Sequence, residues 1–311
     1  MTRPRHLEIP TVLEALPMTT VGSGKHTYTL TSDWAKMPDA HPLGAVSAIA
    51  SDSAGDIYAF HRADPPIAIF DRQTGDFKSG WGNGGYVYAH GFYIEDDIVY
   101  LTDRDTSTCM MYTLDGKLIQ MLGRYMVHSD TGAEVAGQLV PRAAGPFNYP
   151  AELVPSPSGD LYVADGYRNA RVHRFDNDGN HKYSWGKPGK EHPYEFHLPH
   201  SVLVTREDRV YVCDRENSRV QIFNTSGDFI TMWTDAQRPT DIAETPEGDF
   251  VVSELATLDN SKSPRVSIFD RDGNALARWD SRSAHGIWCD AQGDIFLALT
   301  GDRAVDKYGR D

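Results

Sequence analysis

This 311-residue chain predicts an all-β fold, a six-bladed β-propeller, on three observations. A glycine-turned hairpin recurs along it, a second turn-and-strand element recurs once more often, and histidines fill matching slots in alternate units. The hairpin is an apolar run, a tight turn with glycine and a second run. It falls at Ile67–Phe70 before Gly75, Met110–Leu114 before Gly116, Val172–Phe175 before Gly179, Val220–Phe223 before Gly227, and Val266–Phe269 before Gly273. These glycines lie 41, 63, 48 and 46 residues apart, one blade per interval with extra length in the second.

Upstream of each hairpin lies the other element, a turn and a short alternating strand. It is seen at Asp56-Ile57-Tyr58, Asp97-Ile98-Val99, Asp160-Leu161-Tyr162, Arg209-Val210-Tyr211, Asp249-Phe250-Val251 and Asp294-Ile295-Phe296. The blades are therefore expected at 44–82, 88–123, 148–186, 198–233, 238–279 and 283–311, in one domain. The last unit, from Ser283, has three strands and lacks a fourth. An open strand edge is costly, and propellers seal the ring by lending a strand from the opposite terminus. His26–Thr31 alternates, has no blade of its own, and is the expected closing strand. Residues 123–147 carry prolines and glycines without a period and read as a loop over one face, of a length that in compact domains often serves function.

Composition narrows the class. With 40% apolar residues and no Pro/Ser-rich divide, the chain can bury one sizeable core. A net charge of −14 argues against a nucleic-acid partner, which would need clustered lysine and arginine. No apolar run is long enough to span a bilayer, so no membrane partner is expected. Met1–Pro10 has a charged start without the apolar core of a secretory signal, which points to a cytoplasmic protein. Cys109, Cys213 and Cys289 are odd in number and share no metal-ligand spacing; they read as buried thiols.

The chemistry is expected at the axis. His90, His200 and His285 sit at the start of the innermost strand of alternate blades, and the same position in blades 1, 3 and 5 holds Ser47, Ala151 and Thr240. One histidine on a strand is more often a packed core residue than a ligand. Three at equivalent, alternate positions are hard to obtain by packing alone. Converging neutral imidazoles make an open metal site suited to zinc at roughly 2.0–2.1 Å and tolerant of another divalent ion. At the exits of second strands, Arg62 and Arg215 share one offset and Tyr167 lies in the corresponding loop of blade 3. Paired guanidiniums facing a metal read as a clamp for a carboxylated small-molecule substrate, and positive charge beside a phenol favours the phenolate a base requires. The competing readings are arginines that brace loops through backbone carbonyls and a tyrosine that only packs. Asn169-Ala170-Arg171 and Asn217-Ser218-Arg219 read as structural, with Asn in the turn and Arg bracing the next strand.

At these residues the chain resembles a known family. Asn-x-Arg-Val, repeated, resembles NHL repeats. The set FHR at 60–62, AHG at 89–91, DGYxNxR at 165–171, LPHS at 198–201, DRENxR at 214–219 and AHG at 284–286 resembles peptidyl-α-hydroxyglycine α-amidating lyase, over roughly residues 44 to 300. The resemblance implies zinc on His90, His200 and His285, Arg62 on the substrate carboxylate, Tyr167 as general base and Arg215 steadying its phenolate. It further implies cleavage of a carbinolamide into an amide and glyoxylate. Ser283 stands where that family has a methionine lining the substrate pocket, and Gly286 where it has an aspartate serving calcium, so a different substrate and no calcium at that position are expected. Arg168, Tyr211 and Ile222 replace the family's disulfide cysteines. The chain shows no copper monooxygenase domain to supply a hydroxylated peptide, so a small carboxylated α-hydroxy-amide is expected, with ureidoglycolate chemically close. The alternatives are a metal-dependent hydratase, dehydratase or hydrolase on the same scaffold, and a non-catalytic NHL propeller that binds a protein.

Overall fold

The computed structural model describes residues 19–311; the charged start at Met1–Pro10 lies outside the described residues. Six antiparallel sheets are arranged around one axis. Blade 1 runs through Val46–Ser51, Ile57–His61, Ile67–Phe70 and Phe77–Trp81, and blade 2 through Ala89–Glu95, Ile98–Asp103, Thr108–Thr113 and Leu118–Gly123. Blade 3 holds Glu152–Pro155, Leu161–Asp165, Arg171–Phe175 and His181–Trp185; blade 4 holds Pro199–Val204, Arg209–Asp214, Arg219–Asn224 and Phe229–Trp233. Blade 5 holds Pro239–Glu244, Phe250–Glu254, Arg265–Phe269 and Ala275–Asp280. Blade 6 supplies Gly286–Cys289, Ile295–Leu299 and Ala304–Arg310, and His26–Thr31 pairs antiparallel with its last strand, Leu30 opposite Tyr308. A further strand, Thr19–Ser23, hairpins onto the closing strand.

Burial explains the sequence pattern. The second strands Ile57–His61, Leu161–Asp165, Phe250–Glu254 and Ile295–Leu299 are buried at every residue, because neighbouring blades cover both of their faces. Outer strands such as Phe77–Trp81 and Leu118–Gly123 keep an exposed face. The core therefore lies between blades. Four outer strands carry a tryptophan at or next to their last residue, and each ring meets an aromatic on the third strand of the next blade: Trp81 with Tyr112 at 5.4 Å, Trp185 with Phe223 at 5.6 Å, Trp233 with Phe269 at 5.5 Å and Trp279 with Tyr308 at 5.6 Å between centroids. At the seam Tyr28 of the closing strand adds a second contact to Trp279, at 5.5 Å.

Cys109, Cys213 and Cys289 are free and buried. No helix among the described residues is long and apolar enough to cross a membrane. Residues 124–151 carry no strand, and they support the loop after the second strand of blade 3. Gly137 N donates to Tyr167 O at 2.7 Å, Tyr167 N to Tyr149 O at 3.2 Å, and Thr131 Oγ1 to Arg168 O at 2.6 Å.

Candidate metal centre

The innermost strands bring His90, His200 and His285 together at the axis. One nitrogen from each lies within 4.8 Å of the others, and among the described residues this is the one group of three so placed. How they are aimed is visible. Nδ1–H of His90 donates to the carbonyl of Ala151 at 2.7 Å, that of His200 to Thr240 at 2.6 Å, and that of His285 to Ser47 at 2.8 Å. A carbonyl can only accept, so the proton is on Nδ1 and the Nε2 lone pair is left for the axis. The acceptors are the three residues that alternate with the histidines in the ring.

The glycine after two of these histidines has a steric reason. A Cβ on Gly91 would sit 2.5 Å from Ala151 O, and one on Gly286 would sit 2.8 Å from Ser47 O, the same carbonyls that orient His90 and His285. Any side chain there would push the acceptor away. Burial, reinforced by the neighbouring imidazoles and guanidiniums, holds His90 and His200 neutral, far below the usual histidine range, and lowers His285 to about 3. His90 Nε2 is buried without a hydrogen-bond partner among the described residues. An orphaned acceptor beside two further imidazoles is a donor set that fits a divalent cation.

The loops after the second strands build the rest of the pocket. Tyr167 is buried, and its hydroxyl donates to His200 Nε2 at 3.0 Å while accepting from Arg215 Nη1 at 3.4 Å. Arg215 is braced by Glu216 at 2.9 Å, and Glu216 is held in turn by Arg238. Arg62 Nε donates to Ala89 O at 3.1 Å; its terminal nitrogens have no protein partner among the described residues, and no carboxylate pairs with it. Burial lowers its pKa, the mark of a guanidinium lacking a strong counter-charge. Ser283 lies exposed in the loop before His285 and forms no side-chain hydrogen bond among the described residues. Asn217 and Arg219 both bond the buried Asp214 carboxylate at 2.8 Å, and Asn169 bonds Asp165 at 2.8 Å, as structural roles require.

Two features escaped sequence reasoning. Arg104 joins the pocket, its guanidinium carbon 4.8 Å from the Tyr167 ring centroid. Its signal was the Asp-Arg pair at 103–104, which matches Asp-Arg at 214–215. One residue past the ring, Glu152 and Asp241 turn carboxylates into the channel, where they tie blades together. Glu152 accepts from Val202 N at 2.9 Å, and Asp241 accepts from Ser201 Oγ at 2.8 Å and Ile287 N at 2.9 Å. Burial raises both pKa values, that of Asp241 to about 6.

Comparison with known proteins agrees with this architecture. The NHL repeat model matches residues 196–223. NHL repeat-containing protein 3 of Homo sapiens is 28% identical over 91% of this chain and 84% of its own. Peptidyl-alpha-hydroxyglycine alpha-amidating lyase 1 of Drosophila melanogaster is 27% identical over 59% of this chain and 38% of its own length. Among solved structures, a gluconolactonase from Xanthomonas campestris superposes with a TM-score of 0.64 at 14% identity, over 99% of both chains, which shows a shared fold. The chain is a six-bladed propeller with one stretch, residues 196–223, that matches the NHL repeat, and it is similar over part of its length to amidating lyases.

Proposed function

We propose that this protein is a metal-dependent carbon–nitrogen lyase acting on a small α-hydroxy-amide that carries a carboxylate, of the peptidyl-α-hydroxyglycine type. The observation that carries the reading is the trio of Nε2 atoms, each aimed by a neighbouring blade's carbonyl, with a tyrosine hydroxyl 3.0 Å from one of them. His90, His200 and His285 would hold the ion, zinc fitting a neutral three-nitrogen set best and another divalent ion being tolerated. A bound divalent ion supplies Lewis acidity toward the carbinol oxygen.

The remaining work falls to side chains. Arg62 offers its free fork to the substrate carboxylate and so fixes the α-carbon. Tyr167, held as phenolate beside Arg215, takes the hydroxyl proton and becomes the neutral phenol. As the C=O bond forms, the C–N bond breaks and its electron pair leaves on nitrogen, which takes the proton back from Tyr167. The products are an amide and glyoxylate or a related aldehyde. The buried, guanidinium-lined setting strengthens each of these charge interactions.

Elemental analysis of the purified protein, followed by a glyoxylate assay on an N-acyl-hydroxyglycine and on ureidoglycolate, tests the reading. Stoichiometric metal with aldehyde release is expected. Protein that cannot be loaded with any divalent ion and yields no aldehyde would overturn it. A hydrolase built on the same residues would form an acid instead, which product analysis separates.

A further inference from the structure

A third guanidinium stands in the pocket with no task in the reaction just derived. Arg104 is the first residue past the second strand of blade 2, as Arg62 and Arg215 are in blades 1 and 4. Its guanidinium carbon lies 3.6 Å from the centre of the Tyr88 ring, and that of Arg62 lies 3.8 Å from the same centre. Both guanidiniums therefore pack on Tyr88, and the two distances together put them no more than about 7.4 Å apart.

The arrangement is electrostatically open. Arg104 gives its Nε to Asp105 at 2.7 Å and Arg62 gives its own to Ala89 O at 3.1 Å, which leaves the terminal nitrogens of both without a protein partner among the described residues. Arg104 is well covered, its side chain only 14% exposed, and its charge reaches all three histidines. Gathering like charges in a desolvated pocket is unfavourable unless an anion offsets them. One carboxylate saturates one guanidinium fork, and Arg62 already provides it. Asp105 offsets the charge of Arg104 but occupies only its Nε edge, so the terminal nitrogens stay open to a second anionic group beside Tyr88.

We infer that Arg104 forms a second anion subsite and that the substrate is a small dianion, with two carboxylates at a malonate-to-succinate separation. The inference rests on the proposed lyase for its chemistry, but the subsite itself is open to a binding measurement. Calorimetric titration of the metal-loaded protein, at fixed ionic strength, compares succinate and malonate with propionate. Wild-type protein should bind the better diacid at least tenfold more tightly than propionate, and Arg104→Gln should cut that ratio to less than a third. Arg104→Lys, which keeps the charge, should recover part of it. If Arg104 only props Tyr88, Arg104→Gln weakens diacid and monoacid alike and the ratio is unchanged, which overturns the inference. A wild-type ratio below threefold overturns it without any variant. Diacid selectivity without aldehyde release would sink the lyase and leave the subsite; equal turnover of mono- and dicarboxylated carbinolamides would do the reverse.

Discussion

Tyr167 and His61 show how differently two buried side chains are expected to respond to change. Tyr167→Phe removes one oxygen from the pocket and leaves all three imidazoles aimed by their carbonyls. Aldehyde release should therefore fall by about 10²–10⁴-fold in kcat while the metal content is unchanged, a split that stopped-flow and elemental analysis read together. His61 lies away from the axial trio, fully buried, its Nδ1 accepting the backbone N–H of Gly44 at 3.0 Å. Only neutral imidazole can accept, and burial lowers the pKa to about 4. The unfolded chain, near 6.5, binds the proton first, so this contribution to stability is complete above about pH 6.5 and is lost as pH falls toward 4. Denaturant titrations of wild type and His61→Gln should converge over that interval, with wild type losing on the order of 3 kcal/mol more than the variant. Equal losses would show that His61 does not titrate on folding.

Strand Ala304–Arg310 depends on a partner from the other end of the chain. Tyr28 fills the space against Trp279 and is about 1% exposed, so Tyr28→Ala should cost about 3–5 kcal/mol in chemical denaturation, a loss expected of a core aromatic rather than of an edge residue. This closure was legible because His26–Thr31 alternates without a blade of its own, and six turn markers require six second strands. The ring positions were legible for a similar reason: counting back from each turn reached Ser47, Ala151 and Thr240, whose carbonyls turn out to orient the imidazoles. Arg104 was hidden by the same counting. The blade 2 hairpin turns on only two residues, Asp96 and Asp97, both at positive φ, so a fixed offset of six from Asp97 lands on Asp103 instead of the next residue. Glu152 and Asp241 were hidden because a carboxylate beside a strand start looks solvated until the channel around it is known.

Across the whole molecule, the candidate centre draws its ligands from blades 2, 4 and 6 and their orienting carbonyls from blades 1, 3 and 5. A cation held there would bind the folded ring and not the open chain. Saturating zinc, at about a hundred times its dissociation constant, should add roughly 2.7 kcal/mol and raise the melting temperature by several degrees. A chelator should abolish the increment in wild type, and His200→Ala should show none; a melting temperature indifferent to zinc in wild type would count against the site. The arrangement also means that no sector aims its own imidazole. Each nitrogen is sighted from the adjoining wedge, so small slippage between any two wedges, even from a repacked tryptophan near the rim, becomes an error of aim at the hub. Loss of activity without loss of folding is therefore the expected signature of substitutions far from the pore.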